Sequence, residues 1–200
     1  MGWLCYNATH YNWSTWKVDR KAEMDSLYNW EDETKTVSVL KSAMRGSTYY
    51  AAVQVIDKQT GERTVTAAVD LTCGSRDNPG CNFGYKPMGE TMGPYQYDCP
   101  KSILDLLTPT DNEHAIEWRR RCEEHRKTKT ALEKAEEVEF KFPFDITWSS
   151  GYEIKANEPV VLAHCKLGSW EKQRRWWIPG TNMQIRPSTI RNGTVIRIVK

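Results

Sequence analysis

Two segments with strand periodicity, separated by a short turn, constrain the fold of this chain more than any other feature. Residues 49–55 and 65–71 alternate apolar with more polar positions, which is the period of a β-strand. The connection between them, residues 57–61, has a length and composition that favour a β-hairpin. A third strand around residues 82–86 extends the predicted sheet. The result is an antiparallel meander whose apolar face needs a cover.

Helices on either side of these strands are predicted from their start signals. Asp19 is a suitable N-cap for a helix that runs to about Trp30. After the meander, a short helix begins at Asp98 or Cys99. Pro100 then lies in its first turn, where a missing N–H leaves no hydrogen bond unmade. We expect the helices that follow the strands to cover the sheet.

A long helix is predicted over about residues 110–136. Its start fits the capping-box pattern with either Thr108 or Thr110 as the cap, and the sequence does not distinguish the two. Arg119, Arg120 and Arg121 face three directions around this helix and are predicted to be mostly solvated. The one-sided stripe that should pack on the sheet consists of Ala115, Trp118, Cys122 and His125.

The composition changes at about residue 137, where we place a domain boundary between residues 1–137 and 138–200. Short β-rich runs separated by turn signals follow, and they predict a small β-barrel-like domain. Asn192–Gly193 lies between two such runs and predicts a two-residue hairpin. The predicted fold class is α+β, with an antiparallel β-meander covered by helices and then a small β-rich, basic C-terminal domain.

Charge and apolar composition narrow the function classes. The net charge of +2 is too small to argue for nucleic acid or membrane, although residues 138–200 carry ten Lys/Arg against five Asp/Glu. The chain has no stretch of about 18 apolar residues, and its first residues lack the pattern of a signal peptide. We therefore expect a cytoplasmic protein with no membrane contact, in which the six cysteines are free thiols.

The strongest candidate for a partner-binding site is a basic, tryptophan-rich segment near the C-terminus. Cations neutralise phosphates and exposed aromatic rings stack on unpaired bases, while Trp and Arg are also enriched in protein–protein hot spots. The alternative is that Trp176 and Trp177 fill the core of the small domain. The predicted contact residues are Trp170, Lys172, Arg174, Arg175, Trp176, Trp177, Arg186 and Arg191.

Two cysteine-based sites are weaker candidates. Cys99 lies at a predicted helix N-terminus, where a thiolate is stabilised, and His114 is a potential base. A buried structural cysteine is the favoured interpretation. Cys73 and Cys81, with Cys99 or His10, are candidate zinc ligands, but seven intervening residues are a poor match to the usual spacing of two to four.

Carboxylate chemistry at Glu90, with Asp98 close in sequence, is the last candidate. Glycines flank Glu90, but the loop lacks the spacing of a phosphate-binding motif, and a tight connection is the simpler interpretation. The sequence therefore predicts no catalytic residue, no metal and no cofactor.

Three stretches of the chain resemble a family of uncharacterised proteins encoded on bacterial conjugative elements, plasmids and phages. They are the opening MGWLCYNATHY, the segment STYYAAV at residues 47–53, and the run from Met88 to Cys122. The resemblance covers roughly residues 1–126. The family has no assigned activity, so it implies no site residues. It implies a bacterial mobile-element setting, in which small non-secreted proteins often block restriction or CRISPR effectors.

The expected function is a non-enzymatic binding protein acting stoichiometrically on a host defence protein or ribonucleoprotein complex, for example as an anti-CRISPR inhibitor. One alternative is a nucleic-acid-binding accessory protein that uses the basic C-terminal domain. A second alternative is a cysteine-dependent enzyme.

Overall fold

The computed structural model describes residues 2–74, 80–165, 175–190 and 193–200. The chain divides into two compact units, Met1–Arg126 and Lys127–Lys200. The division falls inside a helix, about ten residues before the change in composition at residue 137. Antiparallel sheets dominate both units, and helices are few.

The described part of the first unit contains eight strands. They are β1 (Leu4–Tyr6), β2 (Tyr11–Asn12), β3 (Lys17–Val18), β4 (Trp30–Glu31), β5 (Lys35–Arg45), β6 (Thr48–Asp57), β7 (Arg63–Gly74) and β8 (Phe83–Lys86). Its helical segments are α1 (Arg20–Leu27), a 3₁₀ helix (Glu90–Met92), α2 (Lys101–Leu104) and α3 (Glu113–Lys134), which continues into the second unit.

The second unit consists mainly of strands. They are β9 (Glu137–Lys141), β10 (Ile146–Thr147), β11 (Glu153–Ile154), β12 (Val160–Cys165), β13 (Arg175–Trp177), β14 (Gln184–Ile185) and β15 (Thr194–Ile198). One short helix, α4 (Pro187–Ile190), precedes β15.

The main sheet of the first unit has six antiparallel strands in the order β1-β8-β7-β6-β5-β4. Strands β4 to β8 form a meander, and β1 adds to its far side by pairing with β8. The predicted hairpin between β6 and β7 is present. The Asp57 carboxylate accepts hydrogen bonds from the backbone N–H groups of Gln59 and Thr60, each at 2.9 Å. Gly61 completes the turn at φ +72°, a conformation that glycine adopts without steric cost.

Strands β6 and β7 are buried on both faces of this sheet, because different helices cover the two sides. On one face, α2 and α3 pack over a cluster of Tyr50, Ala52, Val65, Ala67, Val69, Cys99, Ile103, Trp118 and Cys122. On the other face, α1 contributes Met24 to a second cluster. Its other members are Val37, Tyr49, Ala51, Val53, Ala68 and Phe83.

Helix α1 begins at the predicted residue and ends earlier than predicted. The Asp19 carboxylate accepts a hydrogen bond from the backbone N–H of Ala22 at 3.1 Å, which confirms the predicted cap. The helix stops at Leu27, and Trp30 lies in β4 with 45% of its surface exposed. The prediction that this helix extends to about Trp30 is therefore wrong. Pairing of Trp30 with Val37 on β5 favours the strand instead.

Helix α3 is capped by neither of the two predicted residues. The side chain of Asn112 accepts from the backbone N–H of Ala115 at 3.1 Å, and the helix begins at the next residue, Glu113. The Thr108 hydroxyl instead exchanges hydrogen bonds with the backbone of Val65 on β7. A tertiary contact thus removes the local capping option at Thr108. Of the predicted stripe, Ala115, Trp118 and Cys122 are buried and His125 is exposed.

The second unit contains a curled five-stranded sheet in the order β14-β13-β12-β9-β15. Strand β15 pairs with β9, and helix α4 separates it from β14, so the hairpin predicted at residues 192–193 is wrong. Asn192 itself lies outside the described residues. Val195 is paired with the buried Phe140, and this distant apolar pairing outweighs the local turn signal. The core comprises Ala135, Val138, Phe140, Phe142, Ile154, Leu162, Trp176, Ile178 and Ile185.

Candidate functional site

A small hairpin before α1 places aromatic side chains in solvent. Strands β2 and β3 pair through Tyr11 with Val18 and Asn12 with Lys17. The Asn12 side-chain oxygen accepts hydrogen bonds from Ser14 N at 3.0 Å, Ser14 Oγ at 2.6 Å and Thr15 N at 3.2 Å. Asparagine favours such turns because its side chain bonds the backbone just ahead of it. We refer to residues 11–18 as the aromatic loop.

In the aromatic loop, the ring of Trp13 contacts those of Tyr11 and Trp16 edge to face. The ring centroids of Tyr11 and Trp13 are 4.7 Å apart, and those of Trp13 and Trp16 are 6.1 Å apart, with interplanar angles of 75° and 77°. Trp13 is nevertheless 73% exposed and Trp16 53% exposed. Edge-to-face contacts fix ring orientation without removing the rings from water. The aromatic loop therefore presents oriented indoles rather than a packed core.

The aromatic loop is attached to α1 through a buried carboxylate. Glu23 on α1 is 1% exposed and accepts hydrogen bonds from His10 N at 2.8 Å, His10 Nδ1 at 3.0 Å and Thr9 N at 3.2 Å. Burial alone would raise the pKa of Glu23, but the hydrogen bonds from His10 and Thr9 hold it below its ordinary value. The segment that leads into the loop is thereby held against the helix.

Three buried carboxylates in the first unit, Glu23, Asp70 and Glu90, have fixed partners. Glu90 is 2% exposed and forms a two-point ion pair with Arg119, at 2.6 Å and 2.7 Å. It also accepts from the backbone N–H of Ala67 at 3.2 Å. The glycine-flanked loop around Glu90 thus ties the sheet to α3, and the carboxylate has no open side for a substrate. Arg119 is only partly exposed, so the prediction that all three arginines are mostly solvated is wrong for this one.

Asp70 has hydrogen-bond partners, but none of them among the described residues is cationic. It is fully buried and accepts hydrogen bonds from Tyr28 Oη and from Met88 N, each at 2.7 Å. Desolvation outweighs these bonds and raises the pKa of Asp70 to about 6. On the same face, Asp25 behaves oppositely. Burial works against its charge, but Lys21 and Tyr49 donate to it, and its pKa lies below the ordinary value.

We expect Asp70→Asn to remove a pH dependence of stability. The pKa of Asp70 is raised in the folded state, so its contribution is fully present below about pH 4 and is lost as pH rises through about 6. The loss is at most roughly 3 kcal/mol, taking about 1.4 kcal/mol for each unit of pKa difference. Urea unfolding of wild type and Asp70→Asn at pH 4 to 7 measures the difference in slope.

Asp25→Asn is the matched control for this experiment. Because the pKa of Asp25 is lowered on folding, its contribution is present above the unfolded pKa and lost as pH falls. Between pH 4 and 7 the stability of Asp25→Asn should therefore have nearly the same pH slope as that of wild type, whereas the slope for Asp70→Asn should differ. Equal slopes for wild type and Asp70→Asn would show that Asp70 does not titrate between pH 4 and 7.

The basic, tryptophan-rich segment is described only in part. Trp170, Lys172, Arg174 and Arg191 lie outside the described residues, and of Arg175 only the backbone in β13 is described. Trp176 is 8% exposed and contacts Phe140 edge to face at 5.2 Å, so its ring packs in the core, as the alternative interpretation held. Trp177 is half-buried, with its indole nitrogen buried and without a hydrogen-bond partner, and Arg186 is exposed. The predicted surface is thus not assembled by the described residues.

The structure places the cysteines that were candidate zinc ligands differently from the sequence prediction. Cys5 and Cys81 form a disulfide with a Cα–Cα distance of 5.4 Å, so the expectation that all six cysteines are free thiols is wrong. Pairing of β1 with β8 brings together two residues 76 positions apart, which no local pattern reveals. Among the described residues, no group of His, Cys, Asp or Glu side chains is arranged to hold a metal ion.

Cys99 is a core residue in this structure. It is 4% exposed, and burial raises the pKa of its thiol well above the ordinary value. The helix that follows it, α2, has four residues, and Pro100 occupies the capping position. A buried, protonated thiol is a poor nucleophile. The described geometry therefore gives no support to a reactive Cys99.

A shallow cleft of about 160 Å³ lies beside the first half of α3. Glu117 on its wall is paired with Arg120 and Arg121, each at 2.7 Å, and these hydrogen bonds lower the pKa of Glu117 to about 2. Arg121 also lies over the ring of Tyr97. The charges in the cleft are compensated, and its volume is below that of ordinary small-molecule sites.

Comparison with protein-family models, with curated proteins and with solved structures finds no match to this chain. Among the described helices, none has both the length and the apolar composition needed to cross a membrane.

Proposed function

We propose that this chain is a non-enzymatic binding protein that contacts a protein partner through the aromatic loop. The observation that carries the proposal is Trp13, which is 73% exposed while Tyr11 and Trp16 hold its ring from two sides. Exposed apolar side chains that lie together mark interaction sites, whereas single ones are common on surfaces, and tryptophan is among the residues most enriched in binding hot spots.

The composition of the aromatic loop favours a protein partner over nucleic acid. The aromatic loop combines rigid aromatic contact area with short polar side chains, as binding loops of antibodies do. The aromatic residues are Tyr11, Trp13 and Trp16, and the short polar ones are Asn12, Ser14 and Thr15. Lys17 is the one charged residue within positions 11–18. Nucleic-acid binding relies on neutralising several phosphates, which a single lysine does not provide.

The proposed setting is the cytoplasm of a bacterium that carries a mobile element. The resemblance of residues 1–126 to proteins of conjugative elements, plasmids and phages supports this part of the proposal. In that setting the partner is a host defence protein or ribonucleoprotein complex, such as a CRISPR effector, and the protein acts by stoichiometric binding.

The test is capture of the partner by full-length protein from a bacterial lysate, with and without nuclease. We expect wild type to retain a partner protein after nuclease treatment and to form a complex of fixed stoichiometry with it once purified. Trp13→Ala together with Trp16→Ala should weaken this complex by at least about 30-fold, the effect of losing roughly 2 kcal/mol at a hot spot. Isothermal titration calorimetry measures both affinity and stoichiometry.

Trp30→Ala is the matched control, because Trp30 is also an exposed tryptophan but lies outside the aromatic loop, in β4. It should leave the affinity unchanged. Loss of capture after nuclease treatment would favour the nucleic-acid-binding alternative. An unchanged affinity in the double variant would contradict the role of the aromatic loop.

The basic segment of the second unit is tested by the same assay. Arg174→Glu with Arg175→Glu reverses two charges of the predicted contact surface. If this variant leaves partner and nucleic-acid binding unchanged, the assignment of residues 170–177 as a contact surface is wrong.

A further inference from the structure

Three cysteines lie together at one end of the six-stranded sheet. Cys5 on β1 and Cys73 on β7 are both register partners of Gly84 on the intervening strand β8. Directly paired residues of antiparallel strands project to the same side of a sheet. The sulfur atoms of Cys5 and Cys73 therefore lie on one face, with a glycine between them.

Gly84 leaves room for the Cys73 sulfur. A Cβ atom at Gly84 would lie 2.7 Å from Cys73 Sγ, and 3.7 Å from Trp3 Cε3 on the β1 side. Nothing larger than a hydrogen fits there, so the sulfur of Cys73 extends across β8 towards β1. Cys73 is an exposed free thiol, whereas the thiols of Cys99 and Cys122 are buried.

Cys81 connects the other two cysteines. Its sulfur is bonded to that of Cys5, and its own position is eight residues after Cys73, at the far end of the connection between β7 and β8. A free, exposed thiol thus lies at the start of the connection between β7 and β8, and a disulfide cysteine lies at its far end. This arrangement places a nucleophile and an exchangeable disulfide in one cluster.

We propose that Cys73 is a resolving thiol for the Cys5–Cys81 disulfide. The Cys73 thiolate attacks Cys81 Sγ along the axis of the disulfide, forming a Cys73–Cys81 bond as the Cys5–Cys81 bond breaks. Cys5 leaves as a thiolate and takes a proton from water, while the proton of the Cys73 thiol has passed to solvent. One disulfide is lost and one is formed, so the step needs no oxidant or reductant.

The register excludes Cys5 as the sulfur that is attacked, which leaves Cys81. Cys5 and Cys73 are separated by the whole of β8, which places their Cα atoms about 10 Å apart. A disulfide requires Cα atoms within about 7 Å, so a Cys5–Cys73 bond would need the strands to separate. A Cys73–Cys81 bond closes only the loop between β7 and β8.

The exchange changes what the disulfide holds. In the Cys5–Cys81 form it fastens β1, an edge strand of three residues, to a position 76 residues away. In the Cys73–Cys81 form β1 keeps its pairing with β8 and the ring contacts of Tyr6 with Phe83 and Tyr85, but it is no longer held covalently. The cluster is thus a latch on the N-terminal strand that opens by thiol–disulfide exchange, without a change in oxidation state.

The experiment maps disulfides in full-length wild type, Cys73→Ser and, as a matched control, Cys122→Ser. Each protein is equilibrated in glutathione buffers from reducing to oxidising, trapped with acid and N-ethylmaleimide, and digested with trypsin. Cleavage after Arg76 separates the peptides of Cys73 and Cys81, so mass spectrometry without reduction identifies each linkage.

We expect wild type and Cys122→Ser to contain both Cys5–Cys81 and Cys73–Cys81 species. Their ratio should not depend on the glutathione potential, because isomerisation leaves the oxidation state unchanged. Cys73→Ser should contain only the Cys5–Cys81 species, and in oxidising buffer N-ethylmaleimide should label Cys5 in wild type but not in this variant, because exchange with Cys73 is what releases the Cys5 thiol.

Three results would overturn the proposal. They are a single Cys5–Cys81 species in wild type under all buffers, a Cys5–Cys73 linkage in place of Cys73–Cys81, or zinc held by these thiols in the purified protein. If Cys73→Ser does not fold, wild type alkylated at Cys73 under native conditions replaces it. Labelling of Cys5 in that protein to the same extent as in wild type, in oxidising buffer, would equally contradict the role of Cys73.

Discussion

Replacing Arg119 with methionine should lower the free energy of unfolding by about 3–5 kcal/mol, the cost of breaking a buried ion pair from one side. Arg119 donates from Nε and Nη2 to the Glu90 carboxylate, and from Nη1 to the carbonyl of Thr108 at 2.7 Å. Without Arg119, the Glu90 carboxylate keeps only the N–H of Ala67. The large cost is therefore that of an uncompensated buried charge.

A second variant separates this cost from the value of the pair. Glu90→Gln together with Arg119→Met removes both charges, and we expect it to recover much of the stability lost in Arg119→Met. Replacing a whole buried ion pair is often nearly neutral, whereas removing one partner is not. Recovery of less than about 1 kcal/mol would contradict the interpretation that the buried charge causes the loss.

Arg120→Met is the matched control, with the same substitution one position along α3. Arg120 is exposed and pairs on the helix surface with Glu117 and Glu124. Surface pairs of this kind contribute about 0–1 kcal/mol. Urea unfolding of the four proteins measures the comparison. Equal losses for Arg119→Met and Arg120→Met would show that the Glu90 contact adds nothing to stability.

Replacing Trp118 with alanine should cost about 3–5 kcal/mol, as large-to-small substitutions of buried aromatic residues do. Trp118 is 1% exposed within the cluster that joins α2 and α3 to the sheet. Its indole nitrogen donates to the carbonyl of Gln96 at 2.9 Å. Alanine leaves both a cavity and a carbonyl that loses its partner.

Trp13→Ala, the same substitution at an exposed position, should have almost no effect on the free energy of unfolding. Trp13 is 73% exposed, and surface changes away from caps and cores usually alter stability by less than about 0.5 kcal/mol. Thermal and urea unfolding of both variants measure the difference. We expect Trp118→Ala to lose stability and Trp13→Ala to lose partner binding. A large stability loss in Trp13→Ala would assign the aromatic loop to the fold instead.

Features that depend on near neighbours could be read from the sequence. The β6–β7 hairpin follows from period-two alternation on both sides of residues 57–61, and the Asp19 cap follows from one side chain reaching a backbone N–H three residues on. The interactions that decide these features lie within a few residues of one another. Distant contacts do not override them.

Features that depend on distant partners could not be read in this way. Thr108 has the sequence of a helix cap, but its hydroxyl bonds to Val65 on a strand, and Asn112 caps α3 instead. Arg119 and Arg120 are adjacent in the sequence and have nearly the same sequence neighbours. Of the two, Arg119 faces Glu90, which is 29 positions away. Cys5 meets Cys81 because β1 pairs with β8 at the edge of the sheet.

The tryptophans show most clearly which features depend on the local sequence and which depend on the tertiary structure. By itself, the sequence determined that this chain forms antiparallel sheet with helices, because alternation and cap signals act over a few residues. Only the tertiary structure decided that Trp118 and Trp176 fill cores while Trp13 remains in water. Tryptophan is apolar enough to be buried and polar enough to be exposed, so its identity does not settle its place. The elements that pack against each indole do.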